Sequence, residues 1–376
     1  MYFYPIIIIK IKIMTEYFIP TLIIIFLLSL VLGRFLFSRY IIVAKVYNLH
    51  KGYNERASHK GKVITGAGIL LSFMLVVASI VLNKISFLDF QIISPIVGAS
   101  ILIAFLGFYD DFQPITAFHK YITLCFLIGM TVYSSADNQL DTITNLHGFL
   151  GFYEISYLSG FFFTCFVYLA VINAVNLMDG IDAYLAIFSS TTLLLFTIIL
   201  SHGQIYSLAI VCVVIVGGLV IFMRYNLSKK KKLFVGDAGS LFIGFWIAYF
   251  LVFMINSVNN PTISSLFTIR AENVSVLAVA IINMPVLDTI RVMLIRVLNK
   301  RSPFAADRSH LHHVLLDFGY SHIKTAVLLC LINVLNLFLM FVFEPYFLSE
   351  ALTVIFIVLN IFWFAVFQTL NRRNNS

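Results

Sequence analysis

A polytopic, all-α integral membrane bundle of about eleven transmembrane helices is the fold that this sequence predicts, and three observations predict it. Of its 376 residues 61% are hydrophobic and only 11% charged, with a mean hydropathy of +0.98. The chain therefore lacks the charged surface that an ordinary water-soluble domain needs. Apolar windows of bilayer length recur from one end to the other, and the Lys and Arg between them alternate in density, which sets an orientation.

A bilayer core takes about 17–25 consecutive apolar residues per helix. Windows of that kind fall near 18–38, 63–83, 91–108, 121–136, 155–178, 184–201, 205–223, 239–258, 274–297, 325–343 and 351–370. The first window is not followed by a small-residue cleavage site and reads as a retained span. The expected division is an N-terminal extension at 1–17, within which Met14 is an alternative start, a single transmembrane domain at 18–370, and a tail at 371–376. Cys125, Cys165, Cys212 and Cys330 each fall inside an apolar run without paired spacing, so they read as buried packing residues rather than as disulfides or a zinc site.

The stretches 39–62, 109–120, 224–237, 296–324 and 371–376 carry nineteen Lys and Arg, whereas the intervening segments carry only Lys10, Lys12, Lys84 and Arg270. Basic residues are retained on the cytoplasmic side. The expected topology thus has the N-terminus outside and the C-terminus in the cytoplasm. In this setting the formal charge of +8 reports topology and not a nucleic-acid partner.

Ionisable groups against apolar runs are costly, and so usually functional. Asp110-Asp111 closes the third window and Lys120 opens the fourth, so a short loop can gather two carboxylates and an ammonium; a capped helix end with a surface ion pair reads the same residues more simply. Within Asn173-Ala-Val-Asn176-Leu-Met-Asp179-Gly-Ile-Asp182, helical spacing aligns Asn173, Asn176 and Asp179 on one face. Interhelical hydrogen bonding explains the two Asn, but hardly two Asp as well. Phe234-Val-Gly-Asp237-Ala-Gly-Ser240 offers a Gly-flanked carboxylate at the start of the eighth window, where a helix N-terminus attracts phosphate and Asp suits a divalent ion. His310, His312 and His313 follow Arg308, a set open to zinc, acid catalysis or phosphate contact; with no Cys beside them an anionic ligand is the simpler reading. The run Lys229–Lys232 alone reads as a topology determinant or a contact with anionic lipid. All of these groups fall on the basic side of the expected topology. Carboxylates for Mg²⁺, cations for phosphate oxygens and an opening at bilayer level together describe phosphoryl transfer between a nucleotide donor and a lipid acceptor.

On these motifs, with Asn54-Glu-Arg56-Ala-Ser-His59, Gly107-Phe-Tyr-Asp110-Asp111, Phe234–Gly244, Pro285-Val-Leu-Asp288-Thr and Asp307-Arg308-Ser-His310-Leu-His312-His313 in order, the chain resembles the polyprenyl-phosphate N-acetylhexosamine-1-phosphate transferase superfamily, glycosyltransferase family 4. The likeness is to its undecaprenyl-phosphate GlcNAc-1-phosphate transferase branch, which starts O-antigen, enterobacterial common antigen or teichoic acid linkage synthesis. The resemblance implies attack of a lipid-phosphate oxygen on the β-phosphorus of a UDP-N-acetylhexosamine, with UMP released and undecaprenyl-diphospho-sugar formed, at the cytoplasmic face of a bacterial inner membrane.

It further implies Mg²⁺ as cofactor, with Mn²⁺ as the alternative ion, and Asp237 and Asp111 as metal ligands. Asp110, Asp111, Asp237 and Lys120 stand as catalytic residues. His59, Asn173, Asn176, Asp179, Asp182, Phe234, Arg308, His310, His312 and His313 stand as substrate contacts, Phe234 as the ring on uracil. The expected partners are UDP-N-acetylhexosamine, undecaprenyl phosphate and membrane lipid, with a homodimer as an option. Ala183-Tyr184 replaces the family's usual Gly-Leu after Asp182, a departure at the edge of the nucleotide pocket. Other readings are a flippase of lipid-linked sugars, and a transferase for a different UDP-hexosamine or for UDP-MurNAc-pentapeptide.

Overall fold

The computed structural model describes residues 3–51, 63–84, 90–134, 142–258, 269–303 and 309–374. Their helices are α1 Phe3–Val46, α2 Ile69–Lys84, α3 Phe90–Phe112, α4 Ala117–Ser134, α5 Tyr157–Leu177, α6 Tyr184–His202, α7 Tyr206–Asn226, α8 Gly236–Ser257, α9 Val274–Ile281, α10 Asn283–Leu298, α11 Leu311–Asp317, α12 His322–Phe343 and α13 Ser349–Asn374. Two short strands, β1 His50–Lys51 and β2 Val63–Ile64, pair antiparallel with His50 opposite Ile64. In hydrocarbon every backbone polar group must be satisfied within the segment, which is why nearly every apolar window becomes a helix.

Among the described residues eight helices are long and apolar enough to cross a membrane, and α9 with α10 makes a ninth if the bent pair is one span. The remaining two windows fall on the shorter apolar helices Ile69–Lys84 and Ala117–Tyr133. This is an integral membrane protein.

Helix α8 is the axis of the bundle. Every one of its residues except Asp237 is buried, as expected of a helix that is apolar nearly all round. It packs most extensively on α3 and α5, while α6 packs on α7 and α1 on α7. Outward faces carry large exposed apolar side chains, among them Ile23, Phe126, Phe162, Ile198, Phe338 and Ile361, a surface that suits lipid and not water.

The window 274–297 is not one straight helix. Helices α9 and α10 meet at Ile282 with a 68° bend. Pro285, in the first turn of α10, has no N–H to continue a helical ladder. The backbone groups freed at the break are taken up by one side chain of α12: the Asn333 amide donates to the Ile281 carbonyl at 2.9 Å and accepts from Met284 N at 2.9 Å. Such repair by a neighbouring helix lets broken helices exist at membrane depth.

Helix α1 continues from the extension through the first window and into the basic stretch, to Val46, because Arg and Lys do not stop a helix. One expectation is corrected. Of the four cysteines, all free, only Cys212 and Cys330 are buried, whereas Cys125 is exposed and Cys165 half-buried.

Candidate active site

The polar groups gather where α3 and α5 end and α4 and α8 begin. The first residue of α8 follows Val235, which has no side chain able to cap the free amides there. Asp111, from the end of α3, supplies that cap from another helix: its carboxylate accepts from Asp237 N at 3.0 Å and Ala238 N at 3.3 Å. The Thr65 hydroxyl reaches the same carboxylate at 3.5 Å, and Asp111 is 6% exposed. The helix dipole adds to the attraction. This close fit requires glycine twice. Gly236 sits at φ +70°, and a Cβ there would collide with the Asp111 carboxylate; a Cβ at Gly107 would collide with the Asp237 backbone.

With Asp111 absorbed in the cap, two other carboxylates share one cation. Lys120 Nζ lies 2.8 Å from Asp110 Oδ2 and also pairs with Asp237 Oδ2. The other Asp110 oxygen accepts from Ile115 N at 2.8 Å, fixing the loop between α3 and α4. The other Asp237 oxygen accepts from the Asn176 amide at 3.3 Å, and that amide also donates to Ser240 Oγ at 2.7 Å. Three helix ends thus converge on Lys120, whose side chain is 15% exposed, with Asp110 at 12% and Asp237 at 24%. Asn173, one turn earlier on α5, accepts from the Tyr121 hydroxyl at 2.7 Å.

A second group surrounds Asp182. Lys232 Nζ pairs with Asp182 Oδ2 at 2.6 Å, and His322 Nδ1 lies 3.5 Å from the same oxygen. Lys232 is therefore not like Lys229–Lys231, which stay exposed. Its ammonium also stands 5.8 Å from the centre of the half-buried Phe234 ring. Asn226 ties this group together, accepting from Ala183 N at 2.8 Å and donating to the Leu233 carbonyl at 2.9 Å. Ala183 is left-handed, at φ +66°, a conformation glycine takes without strain. Phe234 is held in turn by its amide on the Ile64 carbonyl at 2.8 Å.

A third group is the histidine segment. His310 Nδ1 lies 3.0 Å from Asp288 Oδ2. His312 is 2% exposed, its ring parallel to His310 within 8° at 5.7 Å and 4.3 Å from that of His313. It also abuts Gly180, so that a Cβ at Gly180 would collide with His312 Nε2. Asp179, half-buried beside Gly180, has its amide on the Asn176 carbonyl at 3.2 Å. The turn Asp179–Asp182 is consequently the link from the carboxylate cluster to both other groups.

Of the residues singled out in the sequence, Asp110, Asp111, Lys120, Asn176 and Asp237 form one contiguous network. Asp182 joins Phe234 through Lys232, and His310, His312 and His313 meet the turn at Gly180. His59 and Arg308 lie outside the described residues. Sequence reasoning missed Asn226, His322, Tyr121 and Thr65, which enter from other elements and belong to no acidic motif, and it gave Ser240, in the Asp237 motif, no role. Among the described residues no group of three His, Cys, Asp or Glu is arranged around a metal position. Asp110, Asp237 and Asn176 nevertheless offer hard oxygen donors of the kind Mg²⁺ accepts, since it commonly takes one or two carboxylates and completes its shell with water and substrate phosphate.

A model of glycosyl transferase family 4 matches residues 92–255. The undecaprenyl-phosphate alpha-N-acetylglucosaminyl 1-phosphate transferase of Escherichia coli K12 is 33% identical over 175 residues, 46% of this chain and 45% of that protein. The probable undecaprenyl-phosphate N-acetylglucosaminyl 1-phosphate transferase of Bacillus subtilis 168 is 29% identical over 275 residues, 72% of this chain and 71% of that one. The Yersinia pestis protein that bears the same name as the Escherichia coli one is 28% identical over 313 residues, 82% of this chain and 80% of that one. The chain thus spans less than half the length of the Escherichia coli relative it matches. The matched segment 92–255 holds the whole Asp110–Lys120–Asn176–Asp237 network.

Proposed function

We propose that this protein transfers N-acetylhexosamine-1-phosphate, with GlcNAc-1-phosphate as the favoured group, from the UDP-sugar to undecaprenyl phosphate. UMP is released, and undecaprenyl-diphospho-sugar begins a cell-surface polysaccharide. The observation that carries this reading is Lys120 held between Asp110 and Asp237 where three membrane helices end. The relatives' names support the same substrates.

In this reading an oxygen of the lipid phosphate attacks the β-phosphorus of the donor, and the bond from that phosphorus to the bridging oxygen breaks toward UMP. Lys120 faces the phosphate oxygens on which charge collects, and Asp110 and Asp237 fix its position and keep it protonated. Asp237, Asp110 and the Asn176 amide would hold Mg²⁺, which when bound neutralises the diphosphate. Asp111 acts one step back: its carboxylate is committed to the start of α8 and sets where Asp237 points. Asp182, Lys232 and Phe234 form the nucleoside side, with Phe234 offering a ring face to uracil, and the histidine segment lies on the sugar-diphosphate side. The topology proposed with it has eleven spans, an outside N-terminus, a cytoplasmic C-terminus and this site at the cytoplasmic face of the inner membrane.

A transporter of lipid-linked sugars would share the span count and the basic loops, and among the described residues the broken α9–α10 pair is a further feature of that kind. The backbone at that break is met by Asn333 of α12, whereas the carboxylates and Lys120 gather at the ends of other helices. Purified protein given UDP-GlcNAc, undecaprenyl phosphate and Mg²⁺ is expected to release UMP. EDTA should stop the release, and added Mg²⁺ or Mn²⁺ should restore it. Absence of UMP with a full panel of UDP-hexosamines would overturn the transferase reading in favour of transport.

A further inference from the structure

We propose that Asp288 is a positioning residue for the donor half of the site, acting through His310 to press His312 against the turn at Gly180; this rests on the transferase reading above. Asp288 and Arg291 lie one turn apart on α10, and their mutual contact at 3.2 Å stays within that helix. The same two side chains also reach three consecutive residues of another segment. Asp288 Oδ1 accepts from Leu311 N at 2.9 Å, Asp288 Oδ2 meets His310 Nδ1 at 3.0 Å, and Arg291 Nη2 donates to the Ser309 carbonyl. An ion pair serving α10 alone would have no need of these bonds.

The consequence reaches the site through α11. That helix has seven residues, and His310 at its start makes no side-chain cap. So short a helix is marginal by itself. The Asp288 bond to Leu311 N provides an external cap and fixes where α11 starts and how it is rotated. Rotation decides the place of His312, one residue further on. With His310 held by Asp288, the parallel His310 and His312 rings leave His312 wedged between Gly180 and Tyr184, whose ring is 6.3 Å away. Gly180 lies between Asp179 and Asp182, so the clamp on α10 and the nucleoside turn are joined by one imidazole. Arg291 is fully buried, and a buried cation of this kind persists only when paired, which makes the clamp stiff.

The test compares the two substrates. In detergent-purified enzyme, Asp288→Asn should raise KM for UDP-GlcNAc about 10-fold or more while KM for undecaprenyl phosphate changes less than about twofold, the scale expected when a supporting partner of a binding group is lost. Gly180→Ala disturbs the same link from the other side and leaves the α10 ion pair intact. It should produce the same donor-selective rise, and it carries the test should Asp288→Asn fail to fold. Added to His312→Ala, Asp288→Asn should cost little more, because residues acting through one another are not additive. Equal effects on both KM values, or fully multiplicative effects in the double variant, would overturn the proposal. An active wild type with an unchanged donor KM in both single variants would overturn this proposal alone, whereas a wild type that releases no UMP overturns the transferase reading and this inference with it.

Discussion

Two buried acids, one at α8's start and one beyond α12's far end, are used differently. Helix α12 starts at the site with His322 and gives way to Glu344, which is 6% exposed and accepts from Arg270 N at 2.8 Å and from the Asn273 amide at 3.2 Å; Asn273 also bonds the Glu344 and Phe347 carbonyls. Nearby His147 is buried, which pushes its imidazole below the ordinary range despite a bond to the Ile255 carbonyl. These bonds close a scaffold. At the N-terminal end of α8 Asp111 closes the scaffold in the same manner, on the amides of Asp237 and Ala238. Beside it stand two further carboxylates, Asp110 and Asp237, partly open to solvent and sharing Lys120. An acid held by backbone amides supports the fold, and acids that share a cation at a part-exposed edge are the ones the proposed reading assigns to the ligand.

The sharpest way to break this comparison is Asp237→Asn. If Asp237 belongs to the chemistry, turnover should fall by about 10³-fold, the scale seen when one group stabilising developing charge is removed. The midpoint of thermal unfolding in detergent should hardly move, since Lys120 keeps Asp110 and Asp111 keeps the cap. UMP release and an unfolding scan on the same preparation check both halves. Near-normal turnover would move Asp237 to the scaffold side.

The bundle was legible in the sequence because hydrocarbon permits little besides helix. The bend at Ile282 was not, although Pro285 and Asn283 stood in the window; apolar character alone made 274–297 look continuous, and the side chain that repairs the break comes from Asn333, fifty residues on. The acidic motifs singled out Asp110 and Asp237, and the structure brings both to Lys120. They could not separate Asp111 from Asp110, since adjacent residues in a sequence look alike until one faces a helix end 126 residues away. The Lys229–Lys232 run shows the same limit: four identical side chains read as one feature, but only Lys232 lies next to Leu233, which is bridged to Ile64 and so brings Lys232 to Asp182. His322 carried no signal at all, being a lone histidine at the start of an apolar helix.

Asp111→Asn tests whether the cap and the chemistry are coupled. The amide retains one acceptor for two backbone donors and turns an NH₂ group toward them, leaving a buried donor unsatisfied at a cost of about 1–3 kcal/mol. Unlike Asp237→Asn, this change should lower both the unfolding midpoint and the turnover, because the start of α8 carries Asp237 with it. A loss of turnover at undiminished stability would place Asp111 among the ligand-facing carboxylates and undo the division between the two kinds of acid.

Glu344→Gln is the smallest of these changes and completes the comparison from the far end. Glutamine keeps an acceptor for Arg270 N and the Asn273 amide, and gives up only the added strength that a charged acceptor brings, about 1 kcal/mol. A modest drop in the unfolding midpoint with both KM values and turnover unchanged is the expected result. Glu344 acts where α12 gives way to α13, and the length of α12 separates it from His322 at the site. A kinetic effect from Glu344→Gln as large as its effect on stability would mean that the bundle transmits strain along its length, and the two acids could then no longer be treated as separate.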